Sequence, residues 1–347
     1  MIRVAINGYG RIGRIAHRVI LEKYSQDITV VAVNAGSSTD AVGWAYLLKY
    51  DTVYGPLNVD VIGKATEGEN GRIGSIVVAE YETPLFSQKD PALLPWKTQE
   101  VDVVLECTGH FKKAEQLQAH LTAGAKAVVL SAPVKGNEVP MYVLSVNAQD
   151  YRGETVISNA SCTTNCITPV AKVIEESFGI EKAMMTTIHG YTSDQRLQDG
   201  GHKDYRRARA AGLNIIPTST GATEAAAKAL PTLSGKFGGL AVRVPVPVGS
   251  LSDFTFVLKR EATVESMNKA LIDAAASTLY TGILAATTDP IVSSDIIGNP
   301  HSAIVDLSLT QVVGGNLAKV IAWYDNEYGY ANRLVEEVLM MGNKMAS

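Results

Sequence analysis

Cysteine is scarce in this chain: there are three among 347 residues, Cys107, Cys162 and Cys166. An odd and sparse set argues against a disulfide framework and for a reducing compartment, the cytoplasm. Zinc is disfavoured by spacing. Cys162 and Cys166 stand four apart and could share a helix face, but no second pair of Cys or His follows at ligand spacing. No apolar run approaches the roughly 18 residues of a spanning helix, so the chain is expected to stay out of the membrane. Met1-Ile2-Arg3-Val4 reads directly as a strand, without the layout of a signal peptide. A net charge of −4 leaves no electrostatic footprint for nucleic acid or anionic lipid, and RNA binding gains no support from it. Internal repeats, low-complexity tracts and long linkers are also missing.

At this length roughly two domains are expected, and 46% hydrophobic with 19% charged residues is the composition of an ordinary globular protein. The apolar strand Arg3 to Asn7 runs into Gly8-Tyr9-Gly10-Arg11-Ile12-Gly13, and Ile15, Val19 and Ile20 follow at helical spacing. This is G-x-G-x-x-G after a strand and at the start of a helix. Gly8 allows the tight turn, Gly10 admits a pyrophosphate, Gly13 packs helix on strand, and the N–H groups of Arg11 and Ile12 receive the phosphates. An ordinary tight turn is the blander reading. The next strand, Ile28 to Asn34, ends in Asn34-Ala35-Gly36-Ser37-Ser38, where an NAD site carries an Asp or Glu on the ribose hydroxyls. Without that carboxylate the main barrier to a 2′-phosphate is gone, and Ser37, Ser38 and Thr39 could hydrogen-bond one. The competing reading has Asn34 alone serving an NAD ribose. Strands Val101 to Glu106 and Ala127 to Leu130 end in the small polar stretches Cys107-Thr108-Gly109 and Ser131-Ala132-Pro133, with a helical pattern from Ala114 to Ala123 between them. Alternation of this kind predicts a Rossmann-type α/β domain, a doubly wound parallel sheet. Cys107, at a strand end, reads as structural.

Ser158 to Cys166 then joins an extended run, Glu154 to Ile157, to a helical pattern, Val170 to Phe178. Ser161 is a natural N-cap. It would place Cys162 in the first turn, at the positive end of the helix dipole, where a thiol ionises most easily. An inert buried cysteine is the alternative, and Cys166 is read that way. Pro169 falls inside this helix and is expected to bend it. His189 lies 27 residues after Cys162 at the end of a strand, Met184 to Ile188, and a Cys–His pair is what an activated thiol requires. By themselves Arg206, Arg207 and Arg209 read as a solvated charge run, and Ser219-Thr220-Gly221 as a helix cap. Strands Leu240 to Val246, Leu251 to Leu258, Ala303 to Leu307 and Ala318 to Trp323, with a helix from Val264 to Ala276, predict a second, α+β domain. Its sheet would be mostly antiparallel with helices on one face.

Four segments, Ser161-Cys162-Thr163-Thr164-Asn165-Cys166, His189-Gly190-Tyr191-Thr192, Ser219-Thr220-Gly221-Ala222 and Trp323 to Tyr330, resemble the phosphorylating glyceraldehyde-3-phosphate dehydrogenases. The likeness runs from Asn7 to the last helix. It implies a dinucleotide domain of residues 1–161 and 327–347, a catalytic domain of residues 162–326, and a homotetramer. It implies reversible oxidation of D-glyceraldehyde 3-phosphate to 1,3-bisphosphoglycerate with inorganic phosphate. Cys162 would form the hemithioacetal and thioester, and His189 would take the hydroxyl proton and stabilise the thiolate beforehand. The implied cofactor set is Gly8, Gly10, Arg11, Ile12, Gly13, Asn34, Ala35, Ser37, Lys89, Thr108, Ser131, Asn326 and Tyr330, with Asn326 orienting the carboxamide. Thr192, Asp194 and Arg243 would hold the substrate's C3 phosphate. Ser161, Thr163, Arg207, Thr220 and Gly221 would hold the attacking phosphate.

Two departures from the family both fall on the cofactor. NAD-type members carry Asp at the position of Ala35, and Leu-Pro before the His-Lys-Asp segment. This chain has Ala35 and Asp199-Gly200-Gly201-His202-Lys203-Asp204. Both changes open space and remove repulsion around a 2′-phosphate, so NADP use is expected, with NAD still accepted. The nearest alternative activity is that of erythrose-4-phosphate dehydrogenase. A non-catalytic interaction or RNA-binding protein on the same fold would be expected to have lost Cys162, His189, Arg207 or Arg243, and all four are present.

Overall fold

The computed structural model describes residues 1–66, 68–134, 136 and 138–346. They form two compact units: residues 1–142, 151–160 and 331–347, and residues 143–150 and 161–330. By contact, segment 143–150, Ser161 and residues 327–330 pack with the second unit. Side-chain anchors account for this. Lys172 Nζ donates to the carbonyls of Ser145 (2.9 Å) and Val146 (3.1 Å). Asp325 Oδ1 accepts the N–H groups of Glu327 (2.9 Å) and Tyr328 (2.8 Å), holding the start of the last helix.

The first unit begins with β1 (Ile2–Asn7), α1 (Arg11–Lys23), β2 (Ile28–Asn34) and α2 (Ala41–Lys49). A two-stranded ribbon follows, β3 (Tyr50–Asp51) with β4 (Gly55–Pro56), and then β5 (Val61–Ala65), β6 (Arg72–Val78) and β7 (Tyr81–Phe86). The unit continues with β8 (Val103–Glu106), α3 (Ala114–Thr122), β9 (Ala127–Leu130) and β10 (Val156–Ser158). Its eight-stranded sheet has the order β10-β9-β8-β1-β2-β7-β6-β5. Every neighbouring pair from β10 to β7 is parallel, as expected of a doubly wound sheet, while β6 and β5 close the edge antiparallel. Val4, Ala5 and Ile6 are fully buried, the continuous apolar run of a strand covered on both faces. β1 lies between β2 and β8, so the winding reverses there, and its carboxyl end opens at a switch point.

The second unit has α4 (Cys162–Phe178), β11 (Ile180–Gly190), β12 (Ile216–Thr218), α5 (Ala222–Ala229), β13 (Phe237–Val244) and β14 (Ser250–Leu258). These are followed by α6 (Val264–Ala275), β15 (Leu284–Thr287), β16 (Ala303–Asp306), β17 (Gln311–Val313) and β18 (Leu317–Tyr324), after which α7 (Tyr328–Ala346) begins. The sheet order is β12-β13-β11-β14-β18-β16-β15, with β17 also on β18. Only β11–β13 and β15–β16 are parallel, so the sheet is mostly antiparallel. Residues alternate along β14 between buried and half-buried, the period-2 pattern of a strand with one face on a core. That core joins Ile167, Val170 and Ile174 of α4 and Met267 and Leu271 of α6 to Phe254, Phe256 and Val320 of the sheet. α4 runs unbroken through Pro169, because this dense burial outweighs the one backbone hydrogen bond a proline forgoes.

Glu337 of α7 is fully buried in the first unit. With its amide oriented so that both ends are satisfied, Asn159 donates to Glu337 Oε1 (3.2 Å) and accepts from the Leu334 N–H (3.1 Å). Glu337 Oε2 has no partner among the described residues. Burial, aided by the neighbouring Glu336 charge, pushes the Glu337 carboxyl well above the usual carboxylate range. A carboxyl with a raised folded-state pKa costs nothing below the unfolded value. It destabilises progressively as pH rises past that value toward the folded one. Glu337→Gln keeps the shape and the acceptor for Asn159. It should therefore raise thermal stability at neutral pH, because it removes the cost of a buried carboxyl that resists ionising, and the gain should vanish near pH 4. Melting curves across pH check this, and a pH-independent difference would contradict it.

Candidate active site

At the carboxyl end of β1, Gly8 takes φ +93°, and a Cβ there would fall 2.5 Å from the Thr108 N. A Cβ on Gly13 would meet the Gly8 carbonyl at 2.1 Å, whereas one on Gly10 meets nothing within 4 Å. Two glycines are thus demanded by backbone packing, and the third keeps the surface open. α1 starts with no acidic residue in its first turn and no side-chain cap, so its N–H groups face outward. The Arg11 guanidinium is held by Asp51 (2.7 Å). These features fit a dinucleotide pyrophosphate.

Behind this loop lies a buried polar network that the sequence did not reveal. Glu106 accepts from Asn7 Nδ2, from His120 Nε2 (3.0 Å), and from the Thr108 N–H (2.8 Å) and hydroxyl. Trp96 Nε1 donates to His120 Nδ1 (3.0 Å), which puts the imidazole proton on Nε2. Asn34 donates to Asn7 Oδ1 (2.6 Å) and the Gln88 carbonyl (2.9 Å), and accepts from the Gln88 N–H (2.8 Å). Both amide protons of Asn34 are therefore engaged by protein groups. Asn34 is a clamp between strand ends, and it has no proton left for a ribose. Thr108 is likewise tied to Glu106. Ala35 is buried while Gly36, Ser37 and Lys89 are exposed, so no carboxylate stands at the end of β2. The Ser131 N–H donates to the Glu106 carbonyl (3.0 Å). Burial pushes the Cys107 thiol up to about 12, which suits a structural role.

In the second unit Ser161 Oγ accepts the Thr164 N–H (3.1 Å), the N-cap bond that starts α4. Cys162 then occupies the first turn. β11 delivers His189 with Nε2 3.5 Å from Cys162 Sγ. His189 is 3% exposed, and burial, reinforced by Arg243, lowers its pKa to about 3. Burial also holds the Cys162 thiol above its ordinary value, against the opposing pull of Arg243. The resting pair is thus a thiol and a neutral imidazole. The helix N-terminus favours the thiolate, as the sequence reading held, but desolvation outweighs it. His189 Nδ1 lies 2.7 Å from the Gly190 carbonyl and 2.6 Å from Arg243 Nη1. The carbonyl can only accept, so an Nδ1 proton directed to it leaves the Nε2 lone pair facing Sγ, which is the tautomer of a base. Arg243, which can only donate, competes for the same nitrogen and also reaches the Gly190 carbonyl (3.1 Å).

The two arginines differ in what remains open. Arg207 donates from Nε to Thr218 Oγ1 (2.9 Å), from Nη1 to Asp194, and from Nη2 to the Ser219 carbonyl (3.2 Å). Arg243 uses Nη1 alone, and its buried Nε has no partner among the described residues. The Nε–Nη2 edge of Arg243 thus makes no hydrogen bond among the described residues, and a fork of this kind suits a bidentate anion. Asp194, read from the sequence as a phosphate ligand, instead pairs with Arg207, which holds its carboxyl below the usual range. An ionised carboxylate offers phosphate no proton, so its influence runs through Arg207. Thr220 Oγ1 accepts the Ala222 N–H (3.2 Å) beside Gly221, which opens α5. The Thr192 N–H donates to Gln195 Oε1 (3.2 Å). Asn326 Oδ1 is held by Ser250 Oγ (2.8 Å) and the Gly249 N–H (3.2 Å), and Tyr330 is buried. Tyr324 was missed: its hydroxyl lies 3.0 Å from Thr163 Oγ1, and its ring stands edge-on to His189. In sequence it looks like one more apolar strand residue.

Family models give this constellation a context. One described as glyceraldehyde 3-phosphate dehydrogenase, NAD binding domain, matches residues 2–114, and one for the C-terminal domain matches residues 161–326. The chain belongs to the glyceraldehyde-3-phosphate dehydrogenase family. Glyceraldehyde-3-phosphate dehydrogenase of Mycobacterium avium is 50% identical over 349 residues, covering 99% of each chain. The Mycolicibacterium smegmatis enzyme of that name is 49% identical over 350 residues, and glyceraldehyde-3-phosphate dehydrogenase 2 of Streptomyces avermitilis is 48% identical over 346 residues, again with 99% coverage of each. The dinucleotide-domain match spans the Gly8–Gly13 loop, and the C-terminal match spans Cys162, His189, Arg207, Arg243 and Asn326. Among the described residues no helix is long and apolar enough to cross a membrane, and no cluster of His, Cys, Asp and Glu could hold a metal ion.

Proposed function

We propose that the protein oxidises D-glyceraldehyde 3-phosphate reversibly to 1,3-bisphosphoglycerate, with inorganic phosphate as co-substrate. The observation that carries this reading is Cys162 Sγ at 3.5 Å from His189 Nε2, beside Arg243, whose Nε donor has no partner among the described residues. The substrate's C3 phosphate takes the Nε–Nη2 edge of Arg243, with Thr192 nearby in sequence to His189. Cys162 adds to the aldehyde carbon and gives a hemithioacetal. His189 Nε2 takes the hydroxyl proton, and the phosphate dianion on Arg243 screens the charge that lowers its basicity. A nicotinamide cofactor would supply the hydride acceptor, and with Oδ1 held by Ser250 and Gly249 the Nδ2 of Asn326 is the donor that would hold its carboxamide. The product is a thioester on Cys162. Inorganic phosphate, guided by Ser161, Thr163, Arg207, Thr220 and Gly221, attacks the thioester carbon. The C–S bond breaks, the acyl phosphate leaves and Cys162 regains its proton.

NADP is accepted along with NAD. Ala35, Gly36, Ser37 and Ser38 present no carboxylate to a 2′-phosphate, and Asp199 is occupied with Arg209 (2.8 Å). Leu197 (87%), Tyr205 (86%), Leu213 (85%) and Ile215 (71%) stand exposed within one stretch of the second unit, which supports burial against further copies in a homotetramer. Three unpaired thiols suit the cytoplasm. The test is a spectrophotometric assay with glyceraldehyde 3-phosphate, NAD against NADP, with and without phosphate. Steady reduction of both cofactors that needs phosphate is expected. A kcat/KM for NAD tenfold or more above that for NADP would remove the NADP assignment, and phosphate-independent turnover would remove the phosphorylating one. Light scattering of the same preparation should give four times the 37.0 kDa chain mass.

A further inference from the structure

Three hydroxyls run in line from the neighbour of the nucleophile into the sheet. Thr163 Oγ1 lies 3.0 Å from Tyr324 Oη, and Tyr324 Oη lies 2.8 Å from Thr187 Oγ1. Thr187 Oγ1 in turn lies 3.1 Å from the Leu251 carbonyl oxygen. A carbonyl can only accept, so Thr187 gives its one hydroxyl proton to Leu251. Toward Tyr324 it must then accept, and the phenol proton points to Thr187. Tyr324 Oη is left as an acceptor, and the Thr163 proton points to it. All three residues are buried, and burial holds the Tyr324 phenol far above its ordinary range, so its proton stays on. A single carbonyl at the far end thus orders the whole chain.

We propose that Tyr324 is a positioning residue: it draws the Thr163 hydroxyl proton away from both Cys162 and the incoming phosphate, so that Thr163 meets them with lone pairs. Two consequences follow for the chemistry. Cys162 Sγ, 4.0 Å from Thr163 Oγ1, meets no hydroxyl proton there to stabilise a thiolate. A phosphate reaching Thr163 is taken through a P–OH, leaving its unprotonated oxygens for Arg207 and for attack on the thioester. The first consequence stands on the hydroxyl geometry alone. The second rests on the proposed phosphorylating reaction.

The titratable groups that bear on Cys162 are His189 from β11, Arg243 from β13, Tyr324 from β18 and Cys166 from its own helix. Tyr324→Phe leaves the other three in place and keeps the ring against His189, now 6.0 Å between centroids. It frees the Thr163 proton to turn toward sulfur. Alkylation by iodoacetamide at pH 7 should speed up roughly threefold or more, its pH midpoint moving down, because the thiolate gains a donor. In a Thr163→Val background the same substitution should change nothing. Thr187→Val, which removes the acceptor for the phenol proton, should reproduce the acceleration by another route. Unchanged alkylation in both Tyr324→Phe and Thr187→Val overturns the proposal, as does an acceleration that persists once Thr163→Val has removed the hydroxyl. In turnover, Tyr324→Phe should lower KM for inorganic phosphate about threefold. Accelerated alkylation with an unmoved phosphate KM would keep the hydroxyl order and strike Thr163 from the phosphate site.

Discussion

Cys162→Ser should abolish turnover, lowering kcat by roughly 10³-fold or more, while the dissociation constant of the cofactor stays within about twofold. Serine preserves the N-terminal geometry of α4, since Ser161 and the Thr164 N–H make the capping bond. What it loses is nucleophilicity. A thiol in this site already sits above its ordinary pKa through burial, and an alcohol starts several units higher. In a ground-state serine no neighbouring group brings that hydroxyl into the range of the thiol, and an alcohol adds to an aldehyde far more slowly than a thiolate. On the proposed reading the cofactor binds through the Gly8–Gly13 loop, so its binding should survive the substitution. Stopped-flow measurement of cofactor reduction separates the two effects. Wild-type rates in the serine variant would rule out covalent catalysis at Cys162, whereas a matching loss of cofactor affinity would show a disturbed fold.

Arg243→Leu should reduce kcat/KM for glyceraldehyde 3-phosphate by roughly 10²–10³-fold, the cost of losing a desolvated charge-assisted pair. Unphosphorylated glyceraldehyde should lose less than about tenfold, because it has no anion to place. The difference between the substrates isolates the phosphate contact from any effect on His189. That second effect has its own signature. Burial is the first cause of the low His189 pKa and Arg243 the second, so removing the guanidinium raises the imidazole pKa, and the acid limb of the rate profile moves to higher pH. Equal losses for the two substrates would mean that Arg243 works through His189 and holds no phosphate. Arg243→Lys keeps the charge without the two-pronged edge, and it should recover only part of the loss.

These expectations rest on features that became visible at different levels. The Gly8–Gly13 loop was legible because glycine is demanded by local geometry: a strand, a turn and a helix start lie within a dozen residues. Ser161 as N-cap and Cys162 in the first turn were legible for the same reason. The edge strands β5 and β6 were not read, since half-exposed segments such as Val61–Ala65 become strands through their cross-strand partners. The packing of segment 143–150 and of residues 327–330 with the second unit was not legible either, because the anchors of Lys172 and Asp325 join groups distant in sequence or hidden in a turn.

The sequence by itself determined which chemistry is available: a dinucleotide loop, a cysteine at a helix start, a histidine at a strand end, two arginines and a β2 end without a carboxylate. These are statements about residue types and short spacing, and local physics settles them. Only the tertiary structure decided how those groups share their protons and charges. Burial made the resting pair a thiol and an imidazole, Asn34 became a clamp, Asp194 was turned onto Arg207, and Arg243 kept a buried Nε without a partner among the described residues. Each outcome depends on which distant strand lies alongside and how much water it excludes, and one carbonyl on β14 is enough to set the direction of three hydroxyls.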